Sequence, residues 1–479
     1  MINAPETYLS LVALDTIYAT IDSTGALYYA IDEEPNSDFL WDTLENALTT
    51  ITSSRQELSW WGEDSDGNVE GYYYKWSSDT SWSYTELESG VFYIPIRSEL
   101  DVFSFEVKAV DDIGNVDPTP SKLTLPIKNS SPEISFRYLS NPLISDLGGD
   151  TSFTFPSRTF VWDLYDQDGS ETITDVFYSL NDTCESCWIG LDGGVSSVSL
   201  DQLDEGEYTF FVKCVDVAGA ESKTIQFPDP NEEDLAQVWI VKPIVGEVLV
   251  VDDYPLDNSN NVLAWYESMV DTLLGEGQYS MWEIGNALPF SSIDISANLN
   301  YFKHVIWFTA YNNTASSSDT YNQAGSSIFN FIMNGGNLFI NPIDFEDTTF
   351  TWFPLDSIIT LNPNGRLFPG TIVESPIDTN LNLEVSHLVA VRVKGFLPDE
   401  SEFDNVKTIY RLPDGQENQS WLGSPIVCSL GQYRVSPIEL SGKVVIMTLP
   451  LHDGYRPKLQ GNGSVIKLFQ HLFESEFIE

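Results

Sequence analysis

Along the first half of the chain, apolar and polar residues alternate in short runs separated by turn residues, the period of half-buried strands. The runs ELSWWGED, VEGYYYKW, GVFYIPI, FSFEVKAVDD and SKLTLPI follow one another between Glu57 and Ile127. Their spacing predicts an all-β sandwich over residues 1–128. A first strand is expected at Thr7–Leu14. The stretch Ile17–Ser54, with LYYAIDEE and a helical-looking Phe39–Leu48, breaks the pattern and reads as an insertion near 17–54.

The period changes after Gly246. In GEVLVVDDYP, Val248–Val251 run straight into Asp252 and Asp253, which predicts a strand buried on both faces that stops in a polar loop. Val262–Leu274 then places Val262, Trp265, Tyr266, Met269, Val270, Leu273 and Leu274 on one helical face. YSMWEI, KHVIWFTA, NLFI and KVVIMTL read as further strands. Helices are expected at Tyr321–Met333, ended by Gly335 and Gly336, and at Val465–Phe473 with Ser464 as its cap. Alternating strands and helices predict a doubly wound parallel α/β sheet of five strands over 244–479. Pro342–Gly442 is far longer than a crossover needs, and its pieces LVAVRVKGF and KTIYRL alternate like β. A β-rich insertion near 342–442 is therefore expected to decorate or cover the carboxyl edge of that sheet.

An internal repeat organises the first half. WWGEDSDG (Trp60–Gly67) aligns with WDLYDQDG (Trp162–Gly169), and FEVKAVDDIG (Phe105–Gly114) with FFVKCVDVAG (Phe210–Gly219). Between them Trp82 matches Trp188. A second sandwich is thus expected over 129–243, ahead of the polar loop PDPNEED and VWIVKPIVG. Whether Val238–Val241 is a strand or a linker stays open at this stage. The W-x-G-x-D-x-D-G, Y-x-Y…W and F-x-V-x-A-x-D-x-x-G-N elements, at Trp60–Gly67, Tyr72–Trp82 and Phe105–Asn115, resemble fibronectin type III or immunoglobulin-like modules of secreted bacterial proteins. That resemblance implies module type and leaves the ligand open.

Charge narrows the function classes. With 72 acidic against 22 basic residues the net charge is −50, which repels nucleic acid and anionic membranes. Thirteen Trp, 22 Tyr and 27 Phe against 5 Met supply the aromatic cores of a folded β-rich chain rather than a disordered acidic one. The start, MINAPETYLS, has no basic or apolar leader region, and no run approaches the roughly 18 apolar residues of a membrane span. A secreted form would take its leader from outside this sequence.

Chemistry is thinly signalled. The D-x-D-G turns, Asp64 with Asp66 and Asp166 with Asp168, are candidate Ca²⁺ ligands, joined by Asp111 and Asp216 if these lie at the same pole. Asx-turns use the same residues for hydrogen bonding alone. Cys184-x-x-Cys187 lacks the second pair of a zinc site, so a local disulfide or two thiols are expected; Cys214 reads as a small buried hydrophobe. In the α/β region ligands gather at the carboxyl ends of parallel strands, where Asp252, Asp253, Thr309, Tyr311, Asn341, Asp344, His452 and Asp453 fall.

The VDD strand, the Gly-Gly turn and the KVVIMTLPL segment resemble the class I glutamine amidotransferase-like domains appended to extracellular bacterial proteins. Catalytic members of that superfamily use a Cys on a G-x-C-x-G elbow with a downstream His and Glu. Here Cys428 lies in SPIVCSL and no such elbow occurs, so the resemblance implies a degenerate, flavodoxin-like domain. No G-x-S-x-G elbow or glycine-rich phosphate loop is present either. No catalytic residue is assigned. The expectation is a non-catalytic, extracellular or cell-surface protein of modular build, binding a protein or glycan partner or joining a homo-oligomer or larger assembly. Calcium is its one candidate cofactor. Trp82, Trp352 and Trp421 are candidate sugar platforms. The alternative is an extracellular hydrolase of polysaccharide or peptide using Asp253, Asp344 or His452.

Overall fold

The computed structural model describes residues 4–13, 17–21, 27–30, 49–51, 54–94, 96, 98, 100–138, 151–232, 236–253, 260–284, 288–289, 291–309, 320–342, 355–361, 366–386, 393–415, 421–452 and 463–478. Phe39–Leu48 lies outside them. The chain divides into two compact units, one of residues 1–137, 161–197 and 209–227, the other of 138–160, 198–208 and 228–479.

The repeat in sequence is a repeat in topology. Strands Glu6–Ala13, Arg55–Glu63 and Ser89–Tyr93 form one sheet, and Ser121–Lys128, Leu100–Asp111, Val69–Trp76 and Ser83–Thr85 the other, each in that order. The second copy follows the same plan: Glu133–Tyr138, Arg158–Tyr165 and Ser197–Leu200, then Ile189–Asp192, Ile173–Leu180, Phe210–Asp216 and Ile225–Phe227. Alternating side chains fill the space between sheets. Trp60 packs on Phe105 with ring centres 5.6 Å apart, and Trp162 stacks on Phe210 at 6.4 Å. Both indoles are buried, so each N–H needs an acceptor. Trp60 Nε1 donates to Leu87 O and Trp162 Nε1 to Val195 O, both at 2.9 Å. Residues 17–21, 27–30 and 49–51 make a separate three-stranded sheet within the 17–54 stretch.

In the other unit, Ser280–Glu283, Val248–Asp253, His304–Thr309, Asn337–Asn341 and Glu439–Met447 lie side by side in that order, all parallel. Every residue of Val248–Asp253 is buried. Val248 and Val250 face a cluster containing Val262, Tyr266 and Met269 from helix Asn260–Leu274 and Leu468 and Phe469 from Ile466–His471. Leu249 and Val251 face the other way, toward Ile295, Leu299, Ile328 and Ile332 of the helices Ser292–Asn300 and Gly325–Met333.

The described strands of the 342–442 stretch extend this sheet sideways. Ile426–Ser436 pairs antiparallel with Glu439–Met447, followed by Lys394–Pro398 and Leu355–Thr360, while Phe403–Arg411 also pairs with Ile426–Ser436. A tight hairpin at Ser436–Glu439 makes antiparallel addition the short route. Val238–Val241 is a strand, parallel to Thr151–Thr154 and antiparallel to Gly206–Tyr208. Beside it Arg158 is buried between the rings of Phe160 and Trp239 and donates to Ser152 Oγ at 3.0 Å; burial pulls its pKa down to about 9. Ser464 does not cap the last helix as expected: a 3-10 turn, Gly463–Val465, leads in, and Ser464 Oγ is buried with no hydrogen-bond partner.

That helix is pinned by Glu476, which is 6% exposed. Its carboxylate accepts from Lys407 Nζ at 2.9 Å and lies 3.5 Å from Lys443 Nζ. Burial pushes the carboxyl up, but the Lys407 bond and the charges of Lys407, Lys443 and His471 outweigh it and leave the pKa lowered. A lowered native pKa contributes stability above the unfolded value of about 4.3 and loses it as pH falls through the native one. Glu476→Gln should therefore lower the urea midpoint at pH 7, with the gap to the parent closing below about pH 4. In the first sandwich, Trp60→Ala should cost about 3–5 kcal/mol, read from the urea midpoint.

Candidate functional site

The six carboxylates expected to bind metal fall into two places with different surroundings. In each copy an aspartate opens a D-x-x-G turn whose glycine takes a left-handed conformation, Gly114 at φ 88° and Gly219 at φ 87°. Asp111 Oδ1 accepts from the amides of Ile113 and Asn115 at 3.0 and 2.7 Å, and Oδ2 from Asn115 Nδ2 at 2.8 Å. Burial opposes the charge, but these bonds hold the Asp111 carboxyl below the usual range. Asp216 Oδ1 repeats the pattern with Ala218 and Ala220 amides at 2.9 and 2.8 Å. Lacking an asparagine after Gly219, the second copy fills the remaining place from elsewhere: Asn129 Nδ2 donates to Asp216 Oδ2.

The D-x-D-G turns diverge more. In both, the first carboxylate caps the second residue's amide, Asp64 Oδ1 with Asp66 N at 3.2 Å and Asp166 Oδ1 with Asp168 N at 2.8 Å. Asp66 is exposed and Asp64 partly so, whereas Asp166 and Asp168 are buried at 3% and 0%. What covers the second turn is the linker after the first sandwich together with the last residue of the 17–54 stretch. Ser130 N donates to Asp168 Oδ2 at 2.6 Å, and Ser54 Oγ to Gln167 O at 2.9 Å. Asp166 Oδ2 accepts from Thr172 Oγ1 at 2.9 Å.

Burial raises the pKa of Asp166, and the charges of Asp168 and Asp216 add to it. Burial likewise raises Asp168, with Asp216 adding, against bonds from Ser54 and Ser130 that lower it. Two buried oxygens here lack any hydrogen-bond partner, Asp168 Oδ1 and Asn129 Oδ1. The structure thus brings Asp166, Asp168 and Asp216 together beneath the Asn129–Ser130 linker. Asp64 and Asp66 belong to the other copy's more open turn.

Sequence reasoning missed Asn129 and Ser130. Their position directly after the last strand of the first copy was the available signal. Among the described residues, the group of metal-ligand side chains with donor atoms mutually within 4.8 Å is Asp182, Cys184 and Cys187. There the two sulfurs form a disulfide. The three carboxylates at the joint are spread more widely than that.

At the carboxyl ends of the parallel strands the described side chains bond inward. Asp253 is buried, its Oδ2 accepting from Trp307 Nε1 at 3.0 Å and its Oδ1 from Thr320 Oγ1. Asn341 donates to the carbonyls of Met447 and Leu449 and accepts from Tyr266 Oη at 2.9 Å. Thr309 is buried, with Oγ1 3.5 Å from Asn341 O, and Asp252 is buried as well. His452 is partly buried in a bend; Tyr311, Asp344 and Asp453 lie outside the described residues. Cys428 is wholly buried in the strand Ile426–Ser436, and burial pushes its thiol well above the ordinary range. Nothing about it suits a nucleophile, which must be a reachable thiolate.

The tryptophans offered as sugar platforms are engaged. Lys108 Nζ sits 4.2 Å from the Trp82 ring centre, and the equivalent Lys213 lies 5.0 Å from Trp188. Trp421 Nε1 donates to Pro413 O at 2.7 Å. Trp352 lies outside the described residues.

No protein-family model matches the chain, and no curated protein matches it. Solved structures similar to it include fibronectin(III)-like modules of CbhA from Clostridium thermocellum, at 12% identity over 40% of this chain and 87% of that one, TM-score 0.18. A two-domain fibronectin type III segment of chicken tenascin is similar at 15% identity, over 37% and 91% of the two chains, TM-score 0.20. The central fibronectin-III array of RIM-binding protein gives 12%, 38% and 68%, with TM-score 0.14.

Asp216→Ala strands two turn amides and the Asn129 side chain, and should cost about 2–3 kcal/mol. Asp66→Ala, at an exposed turn, should stay within about 0.5 kcal/mol. Urea unfolding of both variants checks the contrast.

Proposed function

We propose that the chain is a non-catalytic modular protein of the extracellular space or cell surface, in which two fibronectin type III-like sandwiches (1–128 and 129–243) act as a spacer. They would present a doubly wound α/β domain (244–479), related to degenerate amidotransferase-like domains, for binding a protein or glycan partner or for assembly. One observation carries the non-catalytic part: at the described strand ends, Asp253 and Asn341 spend their polar atoms on buried neighbours, and Cys428 sits inside a strand. A general base or nucleophile needs a free lone pair facing substrate.

Three further features support the setting. The net charge of −50 keeps such a surface dispersed. A disulfide at Cys184–Cys187 suits an oxidising compartment. Among the described residues, no helix is long and apolar enough to cross a membrane.

The test is a hydrolysis screen of the purified chain on polysaccharides, peptides, glutamine and chromogenic esters and glycosides. No turnover above background is expected. Turnover abolished by Asp253→Ala or His452→Ala, in variants that keep the parent's circular dichroism, would establish the hydrolase reading instead.

A further inference from the structure

A cavity of about 1000 Å³ opens at the amino ends of the parallel strands, the edge opposite Asp253 and Asn341. Residues from 247, 300–304, 331–337, 432–443 and 473–478 contribute to its wall. Pockets that hold small ligands enclose roughly 300–1,000 Å³, so this one has room for a molecule of several rings. A π-helical turn, Leu472–Glu476, ends the last helix and brings Phe473 and Glu476 to the wall. Such turns are rare and concentrate at functional sites.

The chemistry of the wall narrows the ligand. Its charges are neutralised in pairs: Lys303 Nζ lies 2.9 Å from Glu247, and Lys443 Nζ donates to Glu476 O and lies 3.5 Å from the Glu476 carboxylate. In a chain of net charge −50, that balance gives an anion no local attraction to set against the repulsion of the whole. Asn337 is taken up by the packing, accepting from Lys443 N at 2.8 Å and lying 3.1 Å from His304 Nδ1. Asn300 and Asn334 differ: both are exposed on the wall, and neither side chain bonds to another described residue. Near them stands an aromatic group. The partly exposed Phe473 has its ring centre 5.5 Å from both His304 and Phe477, and His304 stacks on Phe477 at 5.4 Å. An amide both donates and accepts, as a hydroxyl does, and the negative face of an aromatic ring attracts the C–H bonds on one side of a sugar.

We infer that this cavity binds a neutral oligosaccharide, with Phe473 as the stacking surface and the Asn300 and Asn334 amides bonding its hydroxyls. The inference rests on the binder reading given under the proposed function and supplies that reading with a place and a ligand class. Lys443 and Glu476 hold the wall in shape and make no contact with the sugar.

The experiment is saturation-transfer NMR of the full chain with neutral tetrasaccharides of glucose, xylose, mannose, galactose and N-acetylglucosamine at millimolar concentration, then calorimetric titration of those that respond. At least one is expected to bind. Phe473→Ala should abolish the binding. The double variant Asn300→Ala/Asn334→Ala, at two exposed positions, should weaken it about fivefold or more with the melting temperature unchanged. Asp66→Ala, at the exposed turn of the first sandwich, should leave it as in the parent. No response from any neutral sugar overturns the inference. So does binding of tetragalacturonate in place of the neutral sugars, which would mark an anion site. Parent affinity in either cavity variant also overturns it, because the sugar would then sit elsewhere on the chain. Should Phe473→Ala fail to fold, the asparagine pair decides alone. Failure here is distinct from failure of the binder reading: turnover lost in Asp253→Ala would end that reading while sugar still bound the cavity. Absence of both turnover and sugar binding removes the glycan site and leaves the reading its protein partner.

Discussion

A buried aspartate receiving backbone amides is the interaction on which the repeated half depends. Each D-x-x-G turn would otherwise leave amides pointing at one another, and one carboxylate oxygen collects two of them. Bonds to a charged acceptor contribute about 1.5–3 kcal/mol each, enough to offset desolvation when both oxygens are bonded. Asp111 reaches that condition within its own turn. Asp216 reaches it only through Asn129, and Asp168 takes the bond to its Oδ2 from Ser130, so the second sandwich completes its turns with the linker that enters it. Joint and module are one hydrogen-bonded piece.

The parallel sheet follows a different constraint. A strand flanked by clusters on both faces must be apolar at every position, which Val248–Val251 satisfies, and its polar residues are pushed to the strand ends. At such ends enzymes place reactive groups. Here Trp307, Thr320, Tyr266 and two backbone carbonyls have absorbed Asp253 and Asn341 into the packing. Their bonds tie the strand ends to the neighbouring strand, helix and loop.

Much of this was legible in the chain. Period-two runs located the sandwich strands, the Trp60/Trp162 and Phe105/Phe210 correspondences gave the repeat, and the alternating signals after Gly246 gave five parallel strands. The lateral growth of the sheet through Ile426–Ser436 was not, because strand periodicity names no partner. The failed Ser464 cap shows that a capping residue in sequence does not guarantee cap geometry. The difference between the two D-x-D-G turns was equally hidden. Local sequence makes both Asx-turns, and only packing by Ser54, Asn129 and Ser130 buries one of them. Arg158 and its aromatic neighbours came from residues 81 apart, beyond the reach of any local pattern.

The most direct measurement of the joint is hydrogen exchange over the linker, read by mass spectrometry on peptides containing Asn129 and Ser130. If the Asp168 carboxylate holds the Ser130 amide, that amide should exchange slowly in the parent and rapidly in Asp168→Ala, while peptides of the first sandwich core stay protected in both. Rapid exchange of the linker in the parent, or equal protection in the variant, would contradict a joint built on buried carboxylates.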